Sequence, residues 1–457
     1  MKNKTRAFIL LMNEIHNNNI ILYNMLEIYY KIFHLIYILI SETVKFHFNN
    51  LTNSLIYKLP KNERLTLVKS ITYKLEKMNI IYLKIFQSLC LRKNILYTNE
   101  KDYLLKYLDN VPYTSEEVDY KLLDLLESQY NIRLEDNEAI NSGIIGIVFK
   151  GINGNDNNAK VVIKILKNDI ENKLTNAFNE IEYLTYILSY IPYLKNLNLH
   201  KILLDNKEVL FDQVNFVKEV TNMQIFKFKN KNLPEYKIPY VYKEITNNHK
   251  NVIVMENIKG LTFNDIKDYN NYDKNEFGKL ILKFGYISVL YNSSIHCDLH
   301  AGNLFFYKNN EDSGLPIYQL GIIDFGIVSY PCKESQNNFY NFFYNIQIIK
   351  NYDNIYDKLK YFIESKTEIN NTKIISLQEK IIYGIKKYAI KSETVNFFNF
   401  LNKTLKTYNM NLTKEFNQIV LSIQVSESLT HILVENLEIE QVKVFKILTQ
   451  INNLIQI

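Results

Sequence analysis

The hydrophobic and polar positions along the chain predict three successive regions. Through residues 1–130 apolar residues recur at helical spacing, with a break at Pro112. The pattern changes to alternating apolar and polar positions over residues 138–167, which predicts paired strands. From residue 334 onward it is helical again. We therefore expect a helical extension, a small mixed region and a large helical region, with amphipathic helices in the extension over 20–48, 63–90 and 99–129.

Individual elements are predicted within the mixed and large regions. Alternating β-branched positions and short apolar runs predict strands at 144–148, 160–166, 238–245, 251–255, 304–307 and 320–323. Helical periodicity predicts helices at 169–190, 209–228 and 273–294, the last with Asp273 as a cap. The strand at 251–255 ends at Glu256, where we expect a hinge.

Composition narrows the class of protein. With 47% hydrophobic and 22% charged residues, the chain is typical of globular and not of disordered proteins. A net charge of +6 is mild for 457 residues. The densest basic stretch, formed by Lys227, Lys229 and Lys231, is interpreted as a solvated helix end, so we do not expect nucleic-acid binding.

Cysteine usage and the N-terminal residues bear on the compartment. Cys90, Cys297 and Cys332 are odd in number and far apart, which predicts neither disulfides nor a zinc site and favours a reducing compartment. Residues 20–40 are apolar, but charged and polar residues interrupt them, and one charge at mid-bilayer costs about 2.5–3.5 kcal/mol on insertion scales. We expect an amphipathic helix that packs on a partner, a lobe or a membrane surface.

The candidate chemistry lies in two polar motifs. His296-Cys-Asp298-Leu-His300-Ala-Gly302-Asn303 is followed downstream by Asp324-Phe325-Gly326. An H-x-D-x-x-x-x-N loop ahead of a D-F-G triplet is the catalytic pattern of kinases. Phosphoryl transfer needs one carboxylate to orient the attacking hydroxyl, and an amide and a second carboxylate to hold metal ions. Asp298 is the predicted catalytic carboxylate, and Asn303 and Asp324 are the predicted Mg²⁺ ligands.

Upstream residues predict a nucleotide site. Asn141-Ser-Gly143-Ile-Ile-Gly146-Ile-Val148 matches G-x-G-x-x-G-x-V, with asparagine at the first glycine position, and Val161–Lys164 matches V-A-I-K. Glycines let backbone amides approach phosphate oxygens. Gly143, Gly146, Val148 and the phosphate-positioning Lys164 are therefore candidate ATP-binding residues, as are the hinge residues Met255 and Glu256.

The catalytic loop resembles one family in particular. Cys297 stands where protein kinases carry arginine, and no A-P-E follows Gly326. The loop resembles instead the H-x-D-P-H-P-G-N loop of the UbiB-like (aarF-domain) atypical kinases, with Leu299 and Ala301 at the proline positions.

Three upstream segments extend the resemblance over residues 75–345. Residues 80–92, with Lys84 and Gln87, resemble the K-x-G-Q helix of that family, and residues 109–112 fall at its L-x-D-x-V-P turn. Glu219-Val-Thr-Asn222 resembles E-A-x-N, whose glutamate pairs with the strand lysine. The resemblance implies that Glu219 holds Lys164, with Glu180 and Glu182 as competing partners. It also implies that Lys84 and Gln87 are regulatory.

The resemblance implies an α+β, protein-kinase-like, two-lobed fold with a small β-rich N-lobe, a helical C-lobe and a helical N-terminal extension. The expected divisions are an extension at 1–70, a K-x-G-Q-like region at 71–137, an N-lobe at 138–257 and a C-lobe at 258–457. The implied activity is Mg-ATP binding with hydrolysis or γ-phosphate transfer, linked to coenzyme Q or another prenyl-lipid pathway. A lipid or membrane surface is an implied partner, and a mitochondrial location would follow the family's habit; a cytoplasmic one is the alternative.

Departures from the family pattern affect what carries over. Phe86 replaces the glycine of K-x-G-Q, which adds bulk on the helix expected to cover the active site. Gln213 and Asn215 replace both acids of E-x-D, and residues 141–144 replace an alanine-rich loop. The nucleotide site is therefore expected to carry over well and self-inhibition by the helix poorly.

Two other functions stay open. Aminoglycoside- or choline-kinase-like enzymes share the H-x-D-x-x-x-x-N loop but usually lack D-F-G. A catalytically weak nucleotide-binding scaffold would explain Phe86, Gln213 and Asn215, whereas retention of Asp298 together with Asp324 argues against it. His296 is expected to hydrogen-bond to the D-F-G backbone as a scaffold residue. His300 is interpreted either as a phosphate or supporting contact or as a surface residue.

Overall fold

The computed structural model describes residues 30–31, 33–50, 64–90, 97–104, 111–190, 199–205, 207–365, 370–389, 393–437, 444 and 448. The chain divides into two compact units. The first comprises Met1–Asn158 and Ile163–Val214, and the second comprises Ala159–Val162 and Asn215–Ile457. Within the described residues, no helix is both long enough and apolar enough to cross a membrane.

In chain order, the first unit has helices before and after its strands. Its strands are β1 (Ile132–Leu134), β2 (Asn141–Ser142), β3 (Gly146–Asn153) and the second half of β4 (Ala159–Leu166). Its described helices are α1 (33–50), α2 (Arg64–Leu75), α3 (Ile80–Cys90), α4 (Thr98–Leu104), α5 (Tyr120–Tyr130), α6 (Ile170–Leu188), α7 (Leu199–Asp205) and α8 (Lys207–Asp212).

Antiparallel pairing organises the strands of the first unit. β3 pairs with β1, with Arg133 opposite Ile152, and with β2, with Asn141 opposite Val148. β3 alternates buried and half-buried residues, as the period-2 pattern predicts for a strand with one face on the core. The short β2–β3 connection, residues 143–145, is the predicted nucleotide loop.

A buried polar junction joins three helices of the first unit. The Asn79 side chain caps α3 by accepting from the Ile81 N–H at 2.9 Å. Its amide donates to the Ala177 carbonyl at 3.1 Å and to Glu180 Oε2 at 3.0 Å, both on α6. Lys31 also pairs with Glu180. The carboxylate of Glu180, one of the competing partners considered for Lys164, is thus engaged by Lys31 and Asn79.

α1 has one buried face and one exposed apolar face. On the buried face Glu42 accepts from Lys74 of α2 at 2.5 Å and from Ser70. The opposite face exposes large apolar side chains at helical spacing, which fits the predicted amphipathic helix: Phe33, Tyr37, Ile40, Val44 and Phe48.

The second unit is mainly helical. Its helices are α9 (Phe216–Lys229), α10 (Lys243–Asn248), α11 (Asn271–Leu290), α12 (Lys333–Tyr344), α13 (Ile355–Leu359), α14 (Asn371–Lys387), α15 (Thr394–Thr407) and α16 (Lys414–Leu433). Its strands are β5 (Tyr236–Lys237), β6 (Val252–Glu256), β7 (Ile295–His296), β8 (Leu304–Lys308), β9 (Tyr318–Ile322), β10 (Val328–Ser329), β11 (Ile363–Ser365) and β12 (Met410–Leu412). β9 lies between β5, which is parallel to it, and β8, which is antiparallel.

Close packing of α11 on α16 fixes the start of the catalytic loop. A Cβ on Gly285 would lie 2.3 Å from Ser426 Oγ, so only glycine permits this approach. Tyr286 donates to Glu427 at 2.9 Å in the same buried interface. Because α11 leads directly into β7, this contact positions His296 and the residues after it.

Several local predictions were wrong at their boundaries. The helix expected at 209–228 is interrupted, because Asn215 caps α9 by accepting from the Lys218 N–H at 3.0 Å. The strand expected at 238–245 is instead a segment with a single antiparallel bridge, Val241 to Met255, followed by the start of α10 at Lys243. Asp273 is not the cap of α11; Asn270 is, while Asp273 pairs with Lys308 at 2.7 Å.

Candidate active site

A two-stranded ribbon holds the catalytic loop beside the D-F-G segment. β7 pairs antiparallel with β10, with His296 opposite Val328 and Ile295 opposite Ser329. The Cys297 N–H donates to the Ile327 carbonyl at 3.0 Å and continues the ladder. The H-x-D loop follows β7 and the D-F-G triplet precedes β10, so the two predicted motifs lie at the same end of the ribbon.

The loop from Asp298 to Asn303 is closed by its own hydrogen bonds. The His300 N–H donates to the Asp298 carbonyl at 3.0 Å, and the Asn303 N–H donates to the His300 carbonyl at 3.0 Å. The buried Asn303 side chain donates through Nδ2 to the Asp298 carbonyl at 2.9 Å. Since the amide nitrogen is used in this bond, the remaining oxygen, Oδ1, is the atom that can bind a cation.

Asp324 adopts a left-handed backbone conformation with φ of 62°. Such a conformation is uncommon for a residue other than glycine and is concentrated at functional sites. Adjacent bonds hold it: the Ile323 N–H donates to the Asn303 carbonyl at 3.0 Å, and the Gly326 N–H donates to Asp324 Oδ1 at 3.1 Å. The carboxylate is consequently fixed next to the end of the catalytic loop.

His296 connects the two acidic residues through their backbones. Its Nε2 lies 2.6 Å from the Asp324 carbonyl oxygen, and its Nδ1 lies 3.3 Å from the Asp298 nitrogen. Burial lowers the pKa of His296, which favours the neutral ring. A neutral ring protonated at Nε2 satisfies both bonds, donating to Asp324 and accepting from Asp298. The predicted hydrogen bond of His296 to the D-F-G backbone is confirmed.

Asn222 contacts the D-F-G segment, although the sequence indicates only that it ends the E-A-x-N-like motif. It lies on α9 and is 2% exposed. Its Nδ2 donates to the Phe325 carbonyl at 2.8 Å, and its Oδ1 accepts from the Tyr330 hydroxyl at 2.7 Å. The side chain thus ties α9 to D-F-G and to the segment after it. The resemblance to E-A-x-N was the signal that could have identified Asn222, because the motif ends on this residue.

Glu219 is also buried on α9, one turn before Asn222, at 2% exposure. A Cβ on Gly326 would lie 3.3 Å from Asp324 Oδ1 and 3.6 Å from Glu219 Oε2. Glycine at this position therefore keeps the two carboxylates near the D-F-G backbone free of side-chain crowding. The structure brings together Glu219, Asp298, Asn303 and Asp324 within the second unit.

The predicted phosphate-binding residues lie in the first unit. Gly143 donates its N–H to the Gly146 carbonyl at 2.9 Å, which closes the loop between β2 and β3. Gly146 and Val148 lie on β3, and the half-buried Lys164 lies on β4. The pairing of Lys164 with Glu219 stays a prediction.

The remaining predicted residues occupy two elements. Met255 and Glu256 end β6 in the second unit, where the Asn257 N–H donates to the Lys160 carbonyl at 3.1 Å. Glu256 pairs with Lys237 at 3.3 Å. Lys84 is half-buried on α3.

Part of the K-x-G-Q-like segment lies outside the description. Phe86 of α3 is buried, at 4% exposure. The side chain of Gln87 and all of Asp109 lie outside the described residues.

The donor atoms suit magnesium bound together with a nucleotide. The described residues contain no cluster of three or more His, Cys, Asp or Glu side chains with metal-binding geometry. Asn303 Oδ1 and the Asp324 carboxylate would provide two oxygen ligands. Mg²⁺ keeps several waters and usually takes one or two carboxylates plus substrate phosphates, so this small donor set fits it.

The thiols of Cys297 and Cys332 differ in pKa, which gives a direct test of the environment of Cys297 in the loop. Burial raises the pKa of the Cys297 thiol to about 12, whereas hydrogen bonding with Ser335 lowers the pKa of the exposed Cys332. At pH 8 a thiol with a pKa near 12 is roughly 10⁻⁴ thiolate, the reactive form. We expect iodoacetamide to modify Cys332 at least ~100-fold faster than Cys297, measured by peptide mass spectrometry. In urea-unfolded protein the two rates should converge, and equal rates in the folded protein would contradict the raised pKa of Cys297.

The chain matches a known family over more than half its length. Residues 113–359 match the sequence model of the ABC1 atypical kinase-like domain. A probable protein kinase UbiB of Haemophilus ducreyi is 27% identical over 270 residues, which cover 56% of this chain and 47% of the relative. A chloroplastic aarF domain-containing protein kinase of Arabidopsis thaliana, itself described as uncharacterized, is 30% identical over 174 residues, 37% of this chain and 30% of the relative. The matched segments span less than half the length of these curated relatives.

Similarity also extends to solved structures. The Mycobacterium tuberculosis protein Rv3197, solved with erythromycin, aligns with a TM-score of 0.44 and 15% identity over 89% of this chain and 96% of that one. The Rio2 kinase of Chaetomium thermophilum, solved with ADP and Mg²⁺, aligns with a TM-score of 0.27 and 11% identity over 71% of this chain and 95% of that one.

Proposed function

Because the chain belongs to the ABC1 atypical kinase-like family, we propose that it binds Mg-ATP and either hydrolyses it or transfers its γ-phosphate. Membership confirms the resemblance and the protein-kinase-like fold with a helical N-terminal region that the sequence predicted. The observation that carries the proposal is the position of the His296 ring, whose Nε2 lies 2.6 Å from the Asp324 carbonyl oxygen and whose Nδ1 lies 3.3 Å from the Asp298 nitrogen, so that one side chain links the backbones of the two acidic residues.

Asp298, Asn303 and Asp324 each have a distinct role in the proposal. Asp298 orients the attacking hydroxyl or water, and Asn303 Oδ1 with the Asp324 carboxylate holds the metal. Bound Mg²⁺ neutralises charge on the phosphates. Because Asp298 and Asp324 are only half-buried, a substrate can reach their carboxylates. Asn303 is buried, so its orientation is fixed by the loop.

The nucleotide-binding part of the proposal rests on the first unit and on β6. The Gly143–Gly146 loop provides backbone amides for phosphates, and Lys164 contributes the positioning cation, held by Glu219. Met255 and Glu256 border the adenine at the hinge. Lys84 and Gln87 are proposed as regulatory residues on α3.

A lipid connection is the finer part of the proposal. The exposed apolar face of α1, which includes Phe33, Tyr37 and Phe48, has the composition of a helix that lies on a membrane surface. An acceptor or effector in a prenyl-lipid pathway, such as that of coenzyme Q, which the family resemblance implies, fits this surface.

ATP turnover by the full chain tests the proposal. We expect Mg²⁺-dependent phosphate release from wild-type protein, stimulation by anionic vesicles, and loss of at least ~100-fold in Asp298→Asn. Asp312→Asn, an exposed change in the Glu311–Ser313 turn, is the matched control and should keep wild-type turnover. Equal, negligible rates for wild type and Asp298→Asn, with ATP still raising the melting temperature, would instead favour a nucleotide-binding scaffold.

A further inference from the structure

The outer face of α9 forms an open apolar groove in the second unit. The groove has a volume of about 470 Å³ and is lined by Thr221, Gln224, Ile225, Phe228, Lys229 and Tyr330. The Phe228 side chain is 68% exposed and that of Tyr330 is 41% exposed. Two aromatic rings are thus presented to solvent, that of Phe228 on the helix that also carries Glu219 and Asn222, and that of Tyr330 just after β10.

Positive charge borders this groove. The Lys231 ammonium lies 4.7 Å from the Phe228 ring centre, and that of Lys229 lies 5.8 Å from the Tyr330 ring centre. Lys227, on the last turn of α9, lies instead 5.4 Å from the Tyr240 ring centre. In the part of the chain that the structure describes, no carboxylate lies within ion-pair distance of Lys229 or Lys231. An occupant that brings carboxylates would therefore gain electrostatic attraction that the fold itself does not supply.

Two residues that line the groove, Tyr330 and Lys229, are hydrogen-bonded to segments next to the candidate active site. The Tyr330 hydroxyl donates to Asn222, which in turn donates to the Phe325 carbonyl of D-F-G. The Lys229 ammonium donates to the Asn292 carbonyl and, at 2.6 Å, to Ser294 Oγ, just ahead of His296. Contact with Tyr330 or Lys229 therefore touches residues that position the backbone on both sides of the active site.

We propose that this groove is the docking site of an acidic peptide segment that inserts an aromatic side chain against Phe228 and Tyr330, and that docking stabilises the D-F-G conformation. Aromatic insertion buries the exposed rings, and the lysines pair with flanking carboxylates. A groove of about 470 Å³ lined by two aromatic rings can take up a protruding side chain, which a membrane surface does not present. The docking itself is independent of the proposed function, whereas its effect on ATP turnover rests on it.

Selection from a random 12-residue peptide library on the full chain tests the docking. We expect the selected peptides to share an aromatic residue flanked by Asp or Glu. Their affinity should fall about tenfold or more in Phe228→Ser and in Lys231→Glu. Both residues are exposed, so the fold should tolerate the changes. Lys250→Glu, an exposed charge reversal elsewhere in the second unit, should leave affinity within about twofold.

Three outcomes would overturn the docking proposal. One is selection of the same peptides, with the same affinity, by Phe228→Ser. Another is a groove-dependent consensus without acidic residues. The third is absence of any groove-dependent peptide while anionic vesicles bind wild type more strongly than Lys231→Glu, which would assign the surface to a membrane.

Tyr330→Phe separates docking from transmission, because it keeps the ring and removes the bond to Asn222. A selected peptide should bind this variant about as well as wild type. In wild type the peptide should slow amide exchange over residues 323–330 and raise ATP turnover, and both effects should be lost in Tyr330→Phe. Equal slowing of exchange in both proteins would overturn the transmission. Because exchange needs no catalysis, a protein without ATP turnover would count against the proposed function alone.

Discussion

Replacing Asp324 with asparagine is expected to lower Mg²⁺-dependent ATP turnover by about 10²–10³-fold, the range seen when one electrostatic group at a reacting centre is removed. The change keeps the shape of the side chain and an oxygen that can accept from the Gly326 N–H, now 3.1 Å from Oδ1. The backbone carbonyl that meets His296 is untouched. The loss should therefore come from the missing negative charge toward the metal and not from unfolding.

Dependence of turnover on Mg²⁺ concentration measures this effect. In Asp324→Asn we expect the half-saturating Mg²⁺ concentration to rise while the melting temperature without nucleotide stays close to that of wild type. Asp312→Asn controls for the loss of one carboxylate from the same unit. Wild-type turnover and Mg²⁺ dependence in Asp324→Asn would exclude this residue as a metal ligand.

Replacing Asn222 with alanine is expected to destabilise the second unit and impair turnover together. The change leaves the Phe325 carbonyl and the Tyr330 hydroxyl without their partner, and an unsatisfied buried polar group costs about 1–3 kcal/mol. Turnover should fall more than about tenfold, because misplacement of reacting groups by about 1 Å can cost 10²-fold. Urea unfolding and phosphate release measure the two effects.

Two partial changes separate the bonds of Asn222. Asn222→Asp keeps an acceptor for Tyr330 and loses the donor to Phe325, whereas Tyr330→Phe loses only the hydroxyl. If the Phe325 bond positions D-F-G, Asn222→Asp should impair turnover more than Tyr330→Phe does. A double-mutant cycle between Asn222→Ala and Tyr330→Phe should show a coupling free energy of at least about 0.5 kcal/mol. Additive effects with unimpaired turnover would contradict a role for this side chain in holding D-F-G.

The strands and long helices followed from periodicity because they depend on local patterns. β4, β6, β8 and β9 lie where alternation or short apolar runs predict them, whereas β3 begins at Gly146 and extends to Asn153, beyond the predicted 144–148, and α6 and α11 lie in the predicted helical stretches. Boundaries were missed where a single side chain decides them. α8 ends at Asp212 and Asn215 caps the next helix, and Asn270 takes the cap position that Asp273 was expected to occupy.

The site was predictable in its chemistry and less so in its connections. Spacing nominates Asp298, Asn303 and Asp324, whose chemical roles stay predictions, and the predicted bond of His296 to the D-F-G backbone is present. The link of Asn222 to Tyr330 joins residues far apart in sequence, and no local pattern encodes such a pair. Phe86 shows the opposite case: its departure from the family pattern is plain in the sequence, and the structure adds that the side chain is buried.

The structure explains in part why Gln213 and Asn215 can stand where the family pattern has acidic residues. Asparagine is as good a helix N-cap as aspartate, so Asn215 retains the capping function without the charge. Gln213 carries a buried side-chain oxygen, Oε1, with no hydrogen-bond partner among the described residues. The capping role therefore survives the substitution, whereas the charge that the family places there is lost.

Calorimetric titration of the full chain with ATP, with and without Mg²⁺, tests the kinase-like nucleotide site most directly. We predict one binding site that requires Mg²⁺ for full affinity and is weakened at least ~10-fold in Lys164→Ala, because the lysine positions the phosphates. At 100 times the dissociation constant, ATP should stabilise the protein by about 2.7 kcal/mol. Absence of binding heat and of any thermal stabilisation at millimolar Mg-ATP, or equal affinity in Lys164→Ala, would contradict it.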